Sequence, residues 1–177
     1  MSLRHPKASF AVIGQPVDHS LSPFIHKLFA RQWTLDLDYR AVELAPDGLA
    51  AGLAKLATAG AYGLNVTLPH KQAVIAQCGS LSARARRARA VNTMTAVDGA
   101  WQGDNTDGTG LVNDLRQNLR TRLAGTRILI LGAGGATRGI VPALFDTNPR
   151  EILVANRTLD RAQALARDFR MLGRILA

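Results

Sequence analysis

The sequence is short of acid. Thirteen Asp and Glu stand against 22 Lys and Arg among 177 residues, a formal charge of +9. Between Gly48 and Val97 there is no acidic residue, whereas Lys55, Lys71, Arg84, Arg86, Arg87 and Arg89 all fall there. A stretch of that kind carries a positive potential and admits nucleic acid or small anions as partners; the plainer reading is a solvated basic helix face built on "SARARRARA". Aromatic residues make up only 5%, which leaves little surface for stacking bases, and no nucleic-acid recognition motif is present. The one cysteine, Cys78, excludes an internal disulfide and a cysteine-based zinc site, so no metal is expected. No apolar run is long enough to cross a bilayer, and "MSLRHPKASF" lacks the sustained apolar region of a secretory leader, so a cytoplasmic chain without a membrane partner is expected.

What the chain has is enough apolar material for a real core, 47% of its residues, arranged as strands alternating with helices. "SFAVIG" reads as a strand and "SPFIHKLFARQW" as a helix with Pro23 in its first turn and Ser22 as its cap. "LDYRAVEL" has period two, "PDGLAAGLAKLATA" is a helix opened by Pro46, and the strand "YGLNVT" leads into a helix from "PHKQAVIAQ". A short helix over "SLSARARRA", strands over "AVNTMTAV" and "AWQG", and a longer helix over "TDGTGLVNDLRQNLRTRL" follow. The expected fold class is α/β, with an N-terminal α/β domain over residues 1–123 and an incomplete Rossmann-type, doubly wound domain over 124–177. Two strands are expected after that boundary, "RILIL" as a buried parallel strand and "EILVAN".

Two kinds of polar cluster sit at the strand-to-helix junctions. In "GAGGATRG", Gly132, Ala133, Gly134, Gly135 and Ala136 lie between an apolar strand and a helix, where backbone N–H groups can approach a pyrophosphate. Thr137 stands where the G-x-G-x-x-G pattern has its third glycine. The next strand ends in "ANRT" without a carboxylate; Asn156, Arg157, Thr158 and Arg161 suit a 2′-phosphate, which favours NADP over NAD. In the first domain, "DHSLSP", "NVTLPHK" and "GDNTDGTG" place polar side chains at the carboxyl ends of strands, where ligands of α/β proteins gather. Taken singly, Ser22, Asn65 and Thr106 are equally ordinary caps and turn residues. His19, His26 and His70 read as structural.

Together, "SLSP", "NVTLPHK", "AVNT", "GDNTDG", "GAGGATRG" and "NRT" resemble, in order, the shikimate dehydrogenase family, over nearly the whole chain to Phe169. The resemblance implies a shikimate-binding domain followed by a Rossmann domain for NADP, and reversible reduction of 3-dehydroshikimate to shikimate in aromatic amino-acid biosynthesis. It implies Lys71 and Asp107 as the catalytic pair, Ser20 and Ser22 as hydroxyls for the substrate carboxylate, and Asn65, Thr67 and Asn92 as further substrate contacts. Moving a hydride from a secondary alcohol requires moving the hydroxyl proton as well, and an amine beside a carboxylate can position and relay it. The partners expected are a small-molecule substrate and a second copy in a homodimer, with no nucleic acid. A quinate/shikimate dehydrogenase using NAD and a non-catalytic remnant that only binds ligand are the alternatives. Three departures stand out: Arg89 lies where a small residue, often Gly, is expected; "RMLGRILA" is unlike the family's next strand and turn; and family members run on well past residue 177, into the remaining strands and a helix that supplies a Gln.

Overall fold

The computed structural model describes residues 8–177. They form two compact units, one made of residues up to Ser80 with Thr93–Gly103, the other of Leu81–Asn92 with Asp104–Ala177.

The first unit is a mixed sheet with helices. β1 (Ala8–Gly14), α1 (Ser22–Gln32), β2 (Leu37–Glu43), α2 (Leu49–Thr58) and β3 (Ala61–Val66) follow one another as the alternation of the sequence predicts. β2 and β3 flank β1 in parallel, which puts the apolar residues of β1 at the centre; Ala11, Val12 and Ile13 are buried. After β4 (Ser80–Leu81) and the excursion through α3 (Ala83–Ala88), β5 (Thr93–Val97) returns antiparallel to β3, and β6 (Ala100–Asp104) lies between β5 and β4.

Two local expectations are corrected here. The helix expected from "PHKQAVIAQ" is turns followed by a single 3-10 segment, Ala73–Gln77. Buried His70 donates from Nε2 to the Leu44 carbonyl at 2.7 Å and Val74 is fully buried, so tertiary anchors hold the segment in place of a continuous α ladder. Ser22 is not the cap of α1: it is the first helical residue, and its N–H is donated to the Ser20 hydroxyl at 3.3 Å. Gly14 allows β1 to end against "NVTLP". A Cβ there would lie 2.9 Å from the Leu68 carbonyl oxygen, and the Gln15 N–H donates to that same oxygen.

The second unit contains α3, α4 (Asp107–Asn113), β7 (Arg127–Leu131), α5 (Gly135–Phe145), β8 (Glu151–Ala155), α6 (Leu159–Phe169) and β9 (Ile175–Leu176). The long helix expected from Thr106 to Leu123 stops earlier: α4 passes into a π-type turn over Asp114–Asn118, and Arg120 turns the chain with φ +50°. The tail, for which the sequence predicts no strand, adds one. β9 pairs in parallel with β8, giving the order β7-β8-β9. β7 is therefore an edge strand and not the fully buried one its composition suggests. Ile128 and Ile130 pack with α5 and α6 on one face, while Leu129 and Leu131, on the other, are 62% and 79% exposed.

Arg89 has a local explanation. It caps α3 in the left-handed region, φ +50°, the position for which glycine is the usual choice, and its guanidinium donates to Asp168 at 2.8 Å. Asp168 also holds Arg138, which lies over the Phe169 ring, so Arg89 ties α3 to α6.

Candidate active site

Each unit assembles part of the polar constellation expected from the sequence. In the first, Ser20 precedes α1 and Ser22 begins it, Asn65 lies near the end of β3 with Thr67 just after it, and Lys71 follows in the turn. The Thr67 N–H donates to the Ile13 carbonyl at 2.9 Å, seating the strand end beside β1. Asn65 is half-buried, and its Oδ1 accepts the Tyr39 hydroxyl proton at 2.6 Å. Burial pushes the Tyr39 phenol up to about 12, with the Ser22 side chain opposing, so it stays neutral. His26 stacks on the Tyr39 ring with centroids 4.2 Å apart and donates from Nδ1 to the Ser22 carbonyl, a structural part in keeping with the reading of the sequence.

In the second unit the arrangement is tighter. The Asn92 amide donates to Asp107 Oδ1 and to Thr106 Oγ1, both at 2.8 Å, while its own oxygen accepts the Thr106 N–H at 2.9 Å. The Asp107 N–H is donated to Asn105 Oδ1, and the buried Asn105 amide donates to the Ala90 carbonyl, which joins "AVNT" to "GDNTDG". Thr106, a cap type by its position, makes no side-chain capping bond. Asp104, next door, is drawn upward by burial, but the Arg84 guanidinium, the Ser82 hydroxyl and the Asn105 N–H outweigh that and hold it below the usual carboxylate range. The sequence offered no sign of two glycines that let α4 and α5 touch: a Cβ on Gly108 would lie 2.7 Å from Ala143 Cβ, and one on Gly139 would lie 2.7 Å from Asp107 Oδ2.

The glycine-rich turn joins β7 to α5. Gly132 has φ +110°, and a Cβ on Gly132 or Gly134 would meet nothing within 4 Å, so the turn presents open backbone. Thr137, in place of the third glycine, is buried and closes the turn by donating to the Gly132 carbonyl at 2.7 Å. Gly135 begins α5, with Ala136 exposed beside it. Asn156 accepts the Ala133 N–H at 3.2 Å and donates to the Thr158 carbonyl at 2.8 Å, pinning "NRT" to the glycine turn. Arg157, Thr158 and Arg161 are exposed around it. Open glycine backbone next to exposed guanidinium groups, with no carboxylate at the end of β8, fits a phosphorylated dinucleotide; the nearest acid, Asp160, is exposed in the first turn of α6. Among the described residues no group of three or more His, Cys, Asp or Glu could hold a metal ion, and no helix is long and apolar enough to cross a membrane.

Two family models match the chain in the same order as these clusters. "Shikimate dehydrogenase substrate binding domain" covers residues 12–94, and "Shikimate / quinate 5-dehydrogenase" covers residues 114–174. A protein of Xylella fastidiosa named shikimate dehydrogenase (NADP(+)) is 49% identical over 172 residues, covering 97% of this chain and 61% of its own length. The chain belongs to the shikimate dehydrogenase family. The solved shikimate dehydrogenase of Aquifex aeolicus superposes on this family member with a TM-score of 0.88 at 32% identity, over 97% of this chain and 62% of that one. That of Thermus thermophilus, solved with NADP(H) and shikimate, gives 0.85 at 37% identity, over 96% and 62%. The chain thus spans about three fifths of the length of the relatives it matches.

Proposed function

We propose that this family member carries the substrate-binding and proton-handling residues of an NADP-dependent shikimate dehydrogenase, catalysing reversible reduction of 3-dehydroshikimate to shikimate in aromatic amino-acid biosynthesis. The observation that carries the reading is the Asn92 amide on Asp107 and Thr106, with "GDNTDG" tied to "AVNT" through Asn105. A carboxylate fixed by neutral donors is held in one orientation, as a group that positions a substrate hydroxyl must be. Residues 1–123 are assigned to substrate binding and 124–177 to the cofactor.

In this reading the Ser20 and Ser22 hydroxyls receive the substrate carboxylate, and Asn65, Thr67 and Asn92 hold ring hydroxyls. Lys71 and Asp107 are assigned to the proton of the reacting hydroxyl, the amine to take or return it and the carboxylate to balance the charge that develops. Gly132, Ala133, Gly134, Gly135 and Ala136 offer backbone to a pyrophosphate, while Asn156, Arg157, Thr158 and Arg161 surround the 2′-phosphate. NADP, when bound, supplies the hydride acceptor. Shikimate with NADP is favoured over quinate with NAD because "ANRT" at the end of β8 offers the cation Arg157 and no carboxylate, with Arg161 a turn further on. A cytoplasmic location, a homodimer and the absence of a nucleic-acid partner complete the proposal.

The test is to incubate the purified chain with shikimate and NADP+ and follow reduced-nicotinamide absorbance, with Lys71→Ala as control. The expected outcome is shikimate-dependent reduction, lowered about 10²–10⁴-fold in the variant. Binding of shikimate without turnover would favour the ligand-binding remnant, and neither binding nor turnover would overturn the assignment.

A further inference from the structure

The proposed substrate residues Ser22 and Asn65 share a neighbour that no motif marks. Tyr39 lies on β2, only 3% exposed, with its ring held between His26 and a cluster containing Val12, Val17, Phe10 and Leu37. Its hydroxyl is the one polar atom of a side chain otherwise locked by packing. That hydroxyl donates to Asn65 Oδ1 at 2.6 Å. Tyr39 is on β2 and Asn65 on β3, so a single buried oxygen fixes a group 26 residues away in sequence.

An asparagine amide has an accepting side and a donating side, and rotation by half a turn exchanges them. The Tyr39 hydroxyl takes the accepting side. Nδ2, with two N–H donors, is left on the opposite side of the amide. A group bound there must accept, as the oxygen of a hydroxyl or a carboxylate does. We infer that Tyr39 is a positioning residue for ligand binding, orienting the Asn65 amide so that it presents its donors. The inference rests on the proposed role of Asn65 as a substrate contact. Tyr39 itself touches no reacting atom in this account; it acts through Asn65.

The substitution Tyr39→Phe keeps the stacked ring and removes only the hydroxyl. The experiment is calorimetric titration of shikimate into the full chain and into Tyr39→Phe, Asn65→Ala and the double variant, with the Asn65 side-chain amide resonances recorded without ligand in wild type and Tyr39→Phe. The expected result is a Kd raised about tenfold by Tyr39→Phe in the wild-type background and by less than about twofold in the Asn65→Ala background. The Asn65 amide pair shifts in the free variant. An equal loss in both backgrounds, or none in either, overturns the inference, because a merely structural tyrosine would not act through Asn65. If the wild-type chain does not bind shikimate, the substrate reading fails on its own account. In that case the amide resonances decide: a shifted pair supports Tyr39 as the group that orients Asn65, and an unmoved pair overturns it.

Discussion

The placement of Asp107 depends on atoms that are missing. Gly139 on α5 has no side chain, and the space a methyl would fill is taken by Asp107 Oδ2 and the Asn105 amide. Gly139→Ala is therefore expected to move the carboxylate, lowering stability by about 1–3 kcal/mol, as overpacking of a close contact does, and lowering any shikimate-dependent turnover more than the melting temperature alone would explain. Thermal denaturation with steady-state kinetics checks both. Lys71, Asp107 and Asn92 could be nominated from the sequence because they stand in contiguous motifs that resemble the family's. Gly139 and Tyr39 could not: a glycine inside a helix and an aromatic on a strand read as ordinary until the neighbouring element is known.

At the scale of the element, α3 is six residues long and cannot persist on propensity alone. Its stability comes from its ends. The Ser82 hydroxyl accepts the Ala85 N–H and donates to Asp104, Arg84 pairs with that same carboxylate, and Arg87 makes a two-bonded pair with Asp146 at 2.9 and 2.8 Å. Asp146 is held low chiefly by its hydrogen bonds to Arg87, against a smaller upward pull of burial. Asp104 is also held low, as the net of burial and its three partners. A carboxylate whose pKa falls on folding contributes stability above its unfolded value, about 3.9, and loses it as pH drops through the lower folded value. The urea midpoint is expected to fall from about pH 5 toward about pH 2 and to fall less steeply in Asp104→Asn, measured at low salt. Because the Arg87–Asp146 pair is exposed and screened, Asp146→Asn is expected to flatten the curve less. "SARARRARA" was legible as a helix, but not that three of its arginines are committed to Asp104, Asp146 and Asp168. The acids that pair with them lie outside the stretch that has none.

At the scale of the molecule, α5 and α6 pack on the face of the second unit's three-stranded sheet that carries Ile128 and Ile130, and among the described residues Leu129 and Leu131 on the other face are exposed. Leu129, Leu131, Leu153, Leu159 and Leu176 line or flank that other face, around a cavity of about 310 Å³. An apolar face on an edge strand promotes association. Replacing both Leu129 and Leu131 with Lys is expected to reduce concentration-dependent light scattering while leaving the melting temperature of the monomeric fraction nearly unchanged, since both side chains are already exposed. A drop in melting temperature comparable to a core substitution, about 2–5 kcal/mol in stability, would show that the two leucines are packed in solution.

The amino-acid order by itself determined the alternation of strands and helices, the glycine-rich turn and the family motifs, because each of these is written in side-chain periodicity or in a few contiguous residues. Tertiary structure decided where neighbours come from elsewhere in the chain. It made "PHKQAVIAQ" a turn and a 3-10 segment, put β7 at an edge, drew a third strand from a tail without strand signals, and gave Arg89 an acid on α6. It also set the Tyr39 hydroxyl on Asn65. Pairing partners, exposed edges and side-chain contacts are relations between distant segments, and local periodicity carries no information about them.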